Sequence, residues 1–194
     1  MSTTIQYNSN YADYSISSYL REWANNFGDI DHAPAETKDR GSFSGSSTLF
    51  SGTQYAIGSS HSNPEGMIAE GDLKMSFMPQ HTFHGQIDTL QFGKDLATNA
   101  GGPSAGKHLE KIDITFNELD LSGEFDSGKS MTENHQGVVH DVIYGLMSGQ
   151  VQPLLDALTN AGIDINASLD SLSFATATSD AALSADTVVD VVGV

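Results

Sequence analysis

Cysteine is absent from all 194 residues. That absence excludes disulfide frameworks, thiolate-bound zinc and cysteine-held iron–sulfur clusters. Positive charge is nearly as scarce: 8 Lys and Arg stand against 25 Asp and Glu, a formal net charge of −17. A field of that sign repels phosphate backbones and anionic headgroups, so neither nucleic acid nor a membrane surface is an expected partner. No apolar run is long enough to span a bilayer, and the first residues lack the basic and apolar regions of a Sec signal. Enzyme signatures are missing too. The chain shows no nucleophile–base–orienter set and no zinc motif, and the loop at Gly101 and Gly102 lacks the Gly-Lys-Ser/Thr ending a phosphate loop requires. Calcium loops and the glycine-aspartate nonapeptide repeat are also absent.

What is present describes one domain with a real core. Ile16, Leu20, Trp23 and Phe27 repeat at helical spacing after a capping Ser15 or Ser17, and Gly28 sits where a left-handed residue ends such a helix. Residues 29–41 read as a polar loop holding His32, a rigidly placed and exposed position for a ligand. Residues 53–57, 67–77, 82–92 and 111–121 favour strands, with Ile112, Ile114 and Phe116 alternating cleanly with polar residues. Helical texture returns at 138–147, at 153–161 behind Pro153, and at 168–177 around Leu169 and Leu172. Strands in the middle with helices at both ends predict an α+β domain: a single curved antiparallel sheet with about four helices on one face. The domain is expected over 1–177. A polar and then valine-rich tail follows over 178–194 and is expected to be flexible.

The most informative stretch is residues 137–149, GVVHDVIYGLMSG. On a helix, Val139, Ile143 and Leu146 form one apolar stripe, and His140, Tyr144 and Met147 form a second about 100° further round. Spacing alone leaves two readings open. One is a core helix with two satisfied polar tips; the other is a wall for a flat, mostly apolar ligand.

This run resembles the pocket helix of the HasA-type haemophores, secreted bacterial proteins that capture haem. Three further segments resemble the same family: residues 14–29, residues 51–56, and residues 71–85 with Gly71, Asp72, Leu73, His81, Thr82 and Gly85. The resemblance implies one molecule of haem b (iron protoporphyrin IX), held non-covalently between two loops. It places one axial ligand at His32 and a supporting histidine at His81. It also implies an extracellular location, an ABC-type exporter reading the C-terminal tail as a type I secretion signal, and delivery to a TonB-dependent outer-membrane receptor. Host haemoglobin is the implied haem source. High acidity without cysteine, with abundant Gly, Ser, Thr and Asp, agrees with such export.

The chain departs from the family pattern in the connection from position 75 to His81, which is slightly shorter than in several relatives, and at position 75 itself. Position 75 is Met75, where the family carries a tyrosine whose phenolate binds ferric iron. A neutral thioether is a softer ligand, and His/Met pairs raise haem potentials. Three ligation patterns are therefore open: His32 with Met75, His32 with His81, or His32 alone or with water. Phe77 and Met78 are expected to cover one haem face, with His140, Tyr144 and Met147 touching the porphyrin. Two other functions stand beside haem capture. One is a small His/Met electron-transfer haemoprotein, although no Cys-x-x-Cys-His attachment is present. The other is a secreted interaction module without a cofactor.

Overall fold

The computed structural model describes residues 3–46, 48–78 and 80–178. Among the described residues eight strands form one curved sheet: β1 (Thr4–Asn8), β2 (Ser42–Ser44), β3 (Ser51–Gly58), β4 (Glu65–Ser76), β5 (Thr82–Thr98), β6 (Lys107–Asn117), β7 (Leu121–Gly123) and β8 (Ala175–Thr178). Their spatial order is β2-β3-β4-β5-β6-β1-β8, with β7 paired to the first part of β5, at Gly85, Gln86 and Ile87. Among the described residues four α-helices accompany them: α1 (Ile16–Phe27), α2 (Met131–His135), α3 (Val138–Met147) and α4 (Gln152–Asn160).

Helix α1 begins where Ser15 accepts the backbone N–H of Ser18 and ends at Gly28, whose φ of 89° few side-chain-bearing residues adopt. Ile16, Leu20, Trp23 and Phe27 are all buried against the sheet, as their spacing predicts. Val139, Ile143 and Leu146 of α3, with Leu154, Leu155 and Leu158 of α4, join the same core. They meet Tyr55, Met67, Leu73, Ile87, Phe92 and Phe116 from the strands. The helices therefore lie on one face, and the α+β architecture stands.

Four local features differ from the sequence reading. The expected strand over 111–121 is two strands, because Glu118 and Asp120 take left-handed φ values of 55° and 50° and break it. Within β6 the register slips between Ile112 and Ile114, so Asp113 is an extra residue. The slip turns Ile112 to the opposite face, beside Ala56, Ile68 and Leu109, while Ile114 and Phe116 stay in the main core. The helix expected over 168–177 is a single 3-10 turn, Leu169–Ser171, followed by β8. There the backbone N–H groups of Leu169 and Asp170 donate to the carbonyls of Tyr14 and Ala12, and β8 runs parallel to β1. Long-range pairing thus overrides local helix preference, and the sheet is mixed rather than wholly antiparallel. Finally, α2 was not anticipated, although Ser130 and Glu133 make a reciprocal capping box legible as S-x-x-E.

The β4–β5 hairpin positions the site. A bulge at Gly71, where an added Cβ would lie 2.3 Å from the carbonyl oxygen of Gln86, bends the pair. Beyond the bend the hairpin brings Phe77 and His81 to the same cleft as the loop that follows α1. The tail expected over 178–194 lies outside the described residues except for Thr178 in β8.

Candidate haem-binding cleft

A cleft of about 410 Å³ opens at this end of the sheet. One wall is the hairpin: Met75, Phe77, His81 and Phe83. The opposite wall is the loop after α1, through Ile30, Asp31, Lys38, Arg40 and Gly41. Leu49 and Phe50 close a third side, and Tyr55, Tyr144 and Met147 line the depth.

Local bonds fix these walls. The Met75 N–H donates to the carbonyl of Phe50 at 2.8 Å, tying the β2–β3 connection to β4. The rings of Phe50 and Phe77 stack with centroids 4.7 Å apart and planes within 7°. His81 adopts a left-handed φ of 48°, a conformation uncommon outside glycine, and its ring lies 4.6 Å from that of Phe77. Among the described residues neither ring nitrogen of His81 is hydrogen-bonded, so its imidazole is open to a ligand at the cleft. The turn is held from behind. Asn134 donates to the Gln80 side chain at 2.7 Å, and His135 donates through Nε2 to the Gln80 carbonyl at 2.8 Å.

The opposite loop is anchored to α3. The Ile30 N–H donates to the Met147 carbonyl at 3.0 Å, and the Tyr144 hydroxyl donates to the Asp31 carboxylate at 2.9 and 3.1 Å. Burial first, then this hydrogen bond to Asp31, raises the Tyr144 pKa, so the phenol stays protonated. Tyr55 donates to the Arg40 carbonyl at 2.8 Å, and its oxygen lies 3.5 Å from the Met147 sulfur.

The structure brings together only part of the site expected from sequence. Met75, Phe77, His81, Tyr144 and Met147 line the cleft. His32 does not: its side chain is 83% exposed, and its Nδ1 is hydrogen-bonded to Asp29. That bond raises the His32 pKa and leaves Nε2 outward. Met78 is 73% exposed and also lies off the cleft wall. His140 sits behind the wall. Its Nδ1 accepts the Phe83 N–H at 3.2 Å, and its ring stacks between His135 at 3.8 Å and Tyr144 at 5.5 Å. Burial, with some repulsion from His135, pushes its pKa down to about 4, so His140 is neutral. It faces a neighbouring cavity of about 440 Å³ that also touches His81 and Tyr144.

Several lining residues escaped the sequence reading: Phe43, Phe50, Phe83, Tyr55, Lys38 and Arg40. For the last two a signal existed, because two cations one residue apart are conspicuous in so acidic a chain.

The chemistry of the cleft is specific. Among the described residues no three His, Asp or Glu side chains cluster to hold a bare ion. A metal carried inside a macrocycle needs only one or two axial donors, and the Met75 thioether and the His81 imidazole are both present at the wall. Aromatic and aliphatic sides with a basic edge fit a flat, apolar, acid-bearing ligand, and haem is such a ligand.

Comparison with known proteins agrees. The family described as heme-binding protein A (HasA) matches residues 1–194. The hemophore HasA of Serratia marcescens is 36% identical over 185 residues, covering 91% of this chain and 93% of its own length. The holo hemophore HasA from Yersinia pestis, a solved structure, is 82% identical with a TM-score of 0.90, covering 91% of this chain and 99% of that one. The apo hexagonal form of the Yersinia pestis hemophore is 81% identical with a TM-score of 0.89, over the same shares of the two chains.

Proposed function

The chain belongs to the HasA family of heme-binding proteins, and from that premise we propose that it works as a secreted haem carrier for iron acquisition. It is a carrier and not an enzyme. Haem is its cargo, held without a covalent bond in the cleft between the β4–β5 turn and the loop after α1. The observation that carries this reading is the meeting of two iron-competent side chains, Met75 and His81, with an aromatic wall at a single cleft.

The cargo supplies a ferric or ferrous iron with axial positions to fill, together with a large apolar face. Phe77, Phe50 and Phe83 exclude water from that face, and apolar burial at about 25 cal/mol per Å² makes a large contribution to affinity. Met75 offers a neutral sulfur and His81 an imidazole nitrogen from the same hairpin. Tyr144 and Met147 close the depth, while His140 fixes the wall through Phe83. His32 is the donor on the opposite loop. It reaches the cleft only after its loop, held at Asp31, shifts. His32 with Met75 and His32 with His81 thus both require a loop movement, whereas a single donor from the hairpin does not. The structure as it stands favours ligation from the hairpin side first.

Export by an ABC-type transporter that reads the tail over 178–194, haem taken from host haemoglobin, and delivery to a TonB-dependent outer-membrane receptor complete the proposal. The acidic surface supports it, since a net charge of −17 keeps a carrier soluble and off anionic surfaces between source and receptor.

Titration of the protein with haemin, followed by absorption, tests the reading. A one-to-one shift of the Soret band is expected. A near-infrared thioether-to-iron band in the complex assigns Met75, and a low-spin spectrum without it assigns His81. No shift at all would leave the cleft without its cargo and the proposal without its basis.

A further inference from the structure

Of the eight Lys and Arg in this chain, two lie together on the cleft, Lys38 and Arg40. Among the described residues neither meets a carboxylate. Ion pairs among the described residues are confined to His32 with Asp29, Lys74 with Asp72, and Lys111 with Asp95.

The nearby acids are engaged by other donors. The Asp39 carboxylate accepts the N–H of Gly41 and the N–H of Gly58, each at 2.8 Å. Asp31, on the same wall, accepts the Tyr144 hydroxyl. The backbone between the two cations is fixed as well. The Asp39 N–H donates to Ser60 at 3.1 Å, and the Arg40 carbonyl accepts from Tyr55. Lys38 is half-buried. Two cations without carboxylate partners, on a held stretch of chain beside an aromatic wall, give the cleft one basic edge and one apolar side. A guanidinium fork suits a carboxylate in two-point contact, and an ammonium adds a point charge.

We infer that Lys38 and Arg40 form a carboxylate-recognising edge, so that the cleft selects a flat apolar ligand bearing free acid groups along one side. The inference rests on the haem reading of the cleft, where the two propionates are the groups recognised. It adds a determinant of specificity that is independent of iron.

Iron-free protoporphyrin IX and its dimethyl ester separate the two contributions, because neither offers a metal to Met75, His81 or His32. Both are titrated into the full chain, alongside haemin, by quenching of intrinsic fluorescence. The same is done for Lys38→Gln/Arg40→Gln and for a charge-matched control, Lys107→Gln/Lys129→Gln, whose residues lie off the cleft. At about fivefold per rim charge contact, the free acid is expected to bind roughly twenty-five-fold tighter than the ester. The cleft double substitution erases that preference, while the control keeps it. Equal binding of acid and ester by the unsubstituted chain overturns the inference, as does a preference that survives in the cleft variant or falls equally in the control. Failure of haemin, porphyrin and ester alike to bind removes the haem reading itself and this inference with it. Matching circular dichroism and thermal unfolding of the variants establish that each is folded.

Discussion

Met75 stands where the resemblance to the HasA-type haemophores implies a tyrosine. Where a phenolate would favour ferric iron, Met75 offers sulfur, and a thioether stabilises the ferrous form by comparison. Met75→Ala is therefore expected to change the haem spectrum and lower the reduction potential. It should weaken haemin binding by no more than about tenfold, because most of the affinity comes from apolar burial. Spectroelectrochemistry beside a binding titration checks both parts; abolished binding would show that sulfur ligation, not burial, holds the haem. His140 makes a different prediction. Its pKa falls from about 6.5 unfolded to about 4 folded, so the unfolded chain binds the extra proton between those values. The stability that neutral His140 contributes is fully present above pH 6.5 and is lost as pH drops toward 4. Urea unfolding at pH 7 and pH 5 should show a larger loss for the unsubstituted chain than for His140→Gln, which can still accept from Phe83 N–H. At this scale the sequence was partly legible. Met75, Phe77, His81, Tyr144 and Met147 do meet at the cleft, because strand register and helix periodicity set where they lie. The outward pose of His32 was not legible, since it follows from hydrogen bonds of Asp29 and Asp31 that no spacing encodes.

Elements with their own punctuation could be read directly. Helix α1 carries a cap, an apolar stripe and a terminal glycine, and it forms where expected. β8 carries no comparable signal. Its alanines and threonines become a strand only because β1, more than 160 residues earlier in the chain, offers an edge. The loop after α1 belongs to the same scale. Asp31 and Tyr144, 113 residues apart, latch it to α3. Removing the hydroxyl with Tyr144→Phe should cost about 1 kcal/mol of local closure, or roughly fivefold in the opening equilibrium. Hydrogen exchange of the amides over 29–38 should speed up by that factor while those of β4 and β5 stay protected. Unchanged exchange in the loop would mean that the contacts of Ile30 alone hold it.

The whole molecule joins three properties that suit a carrier. Its acidic surface resists adsorption, its sheet and helices give a rigid frame, and its cleft sits between a pinned hairpin and a latched loop at one end of that frame. Because the frame comes from periodic patterns and the cleft from connections between them, α+β architecture could be foreseen while the pose of the loop after α1 could not. Everything functional depends on the cargo lying in that cleft. A crystal structure of the chain grown with haemin tests this most directly. The account predicts porphyrin against Phe77 and Phe83, iron bonded to Met75 or His81, and propionates beside Lys38 and Arg40. Porphyrin bound elsewhere on the protein, with this cleft empty, would contradict it.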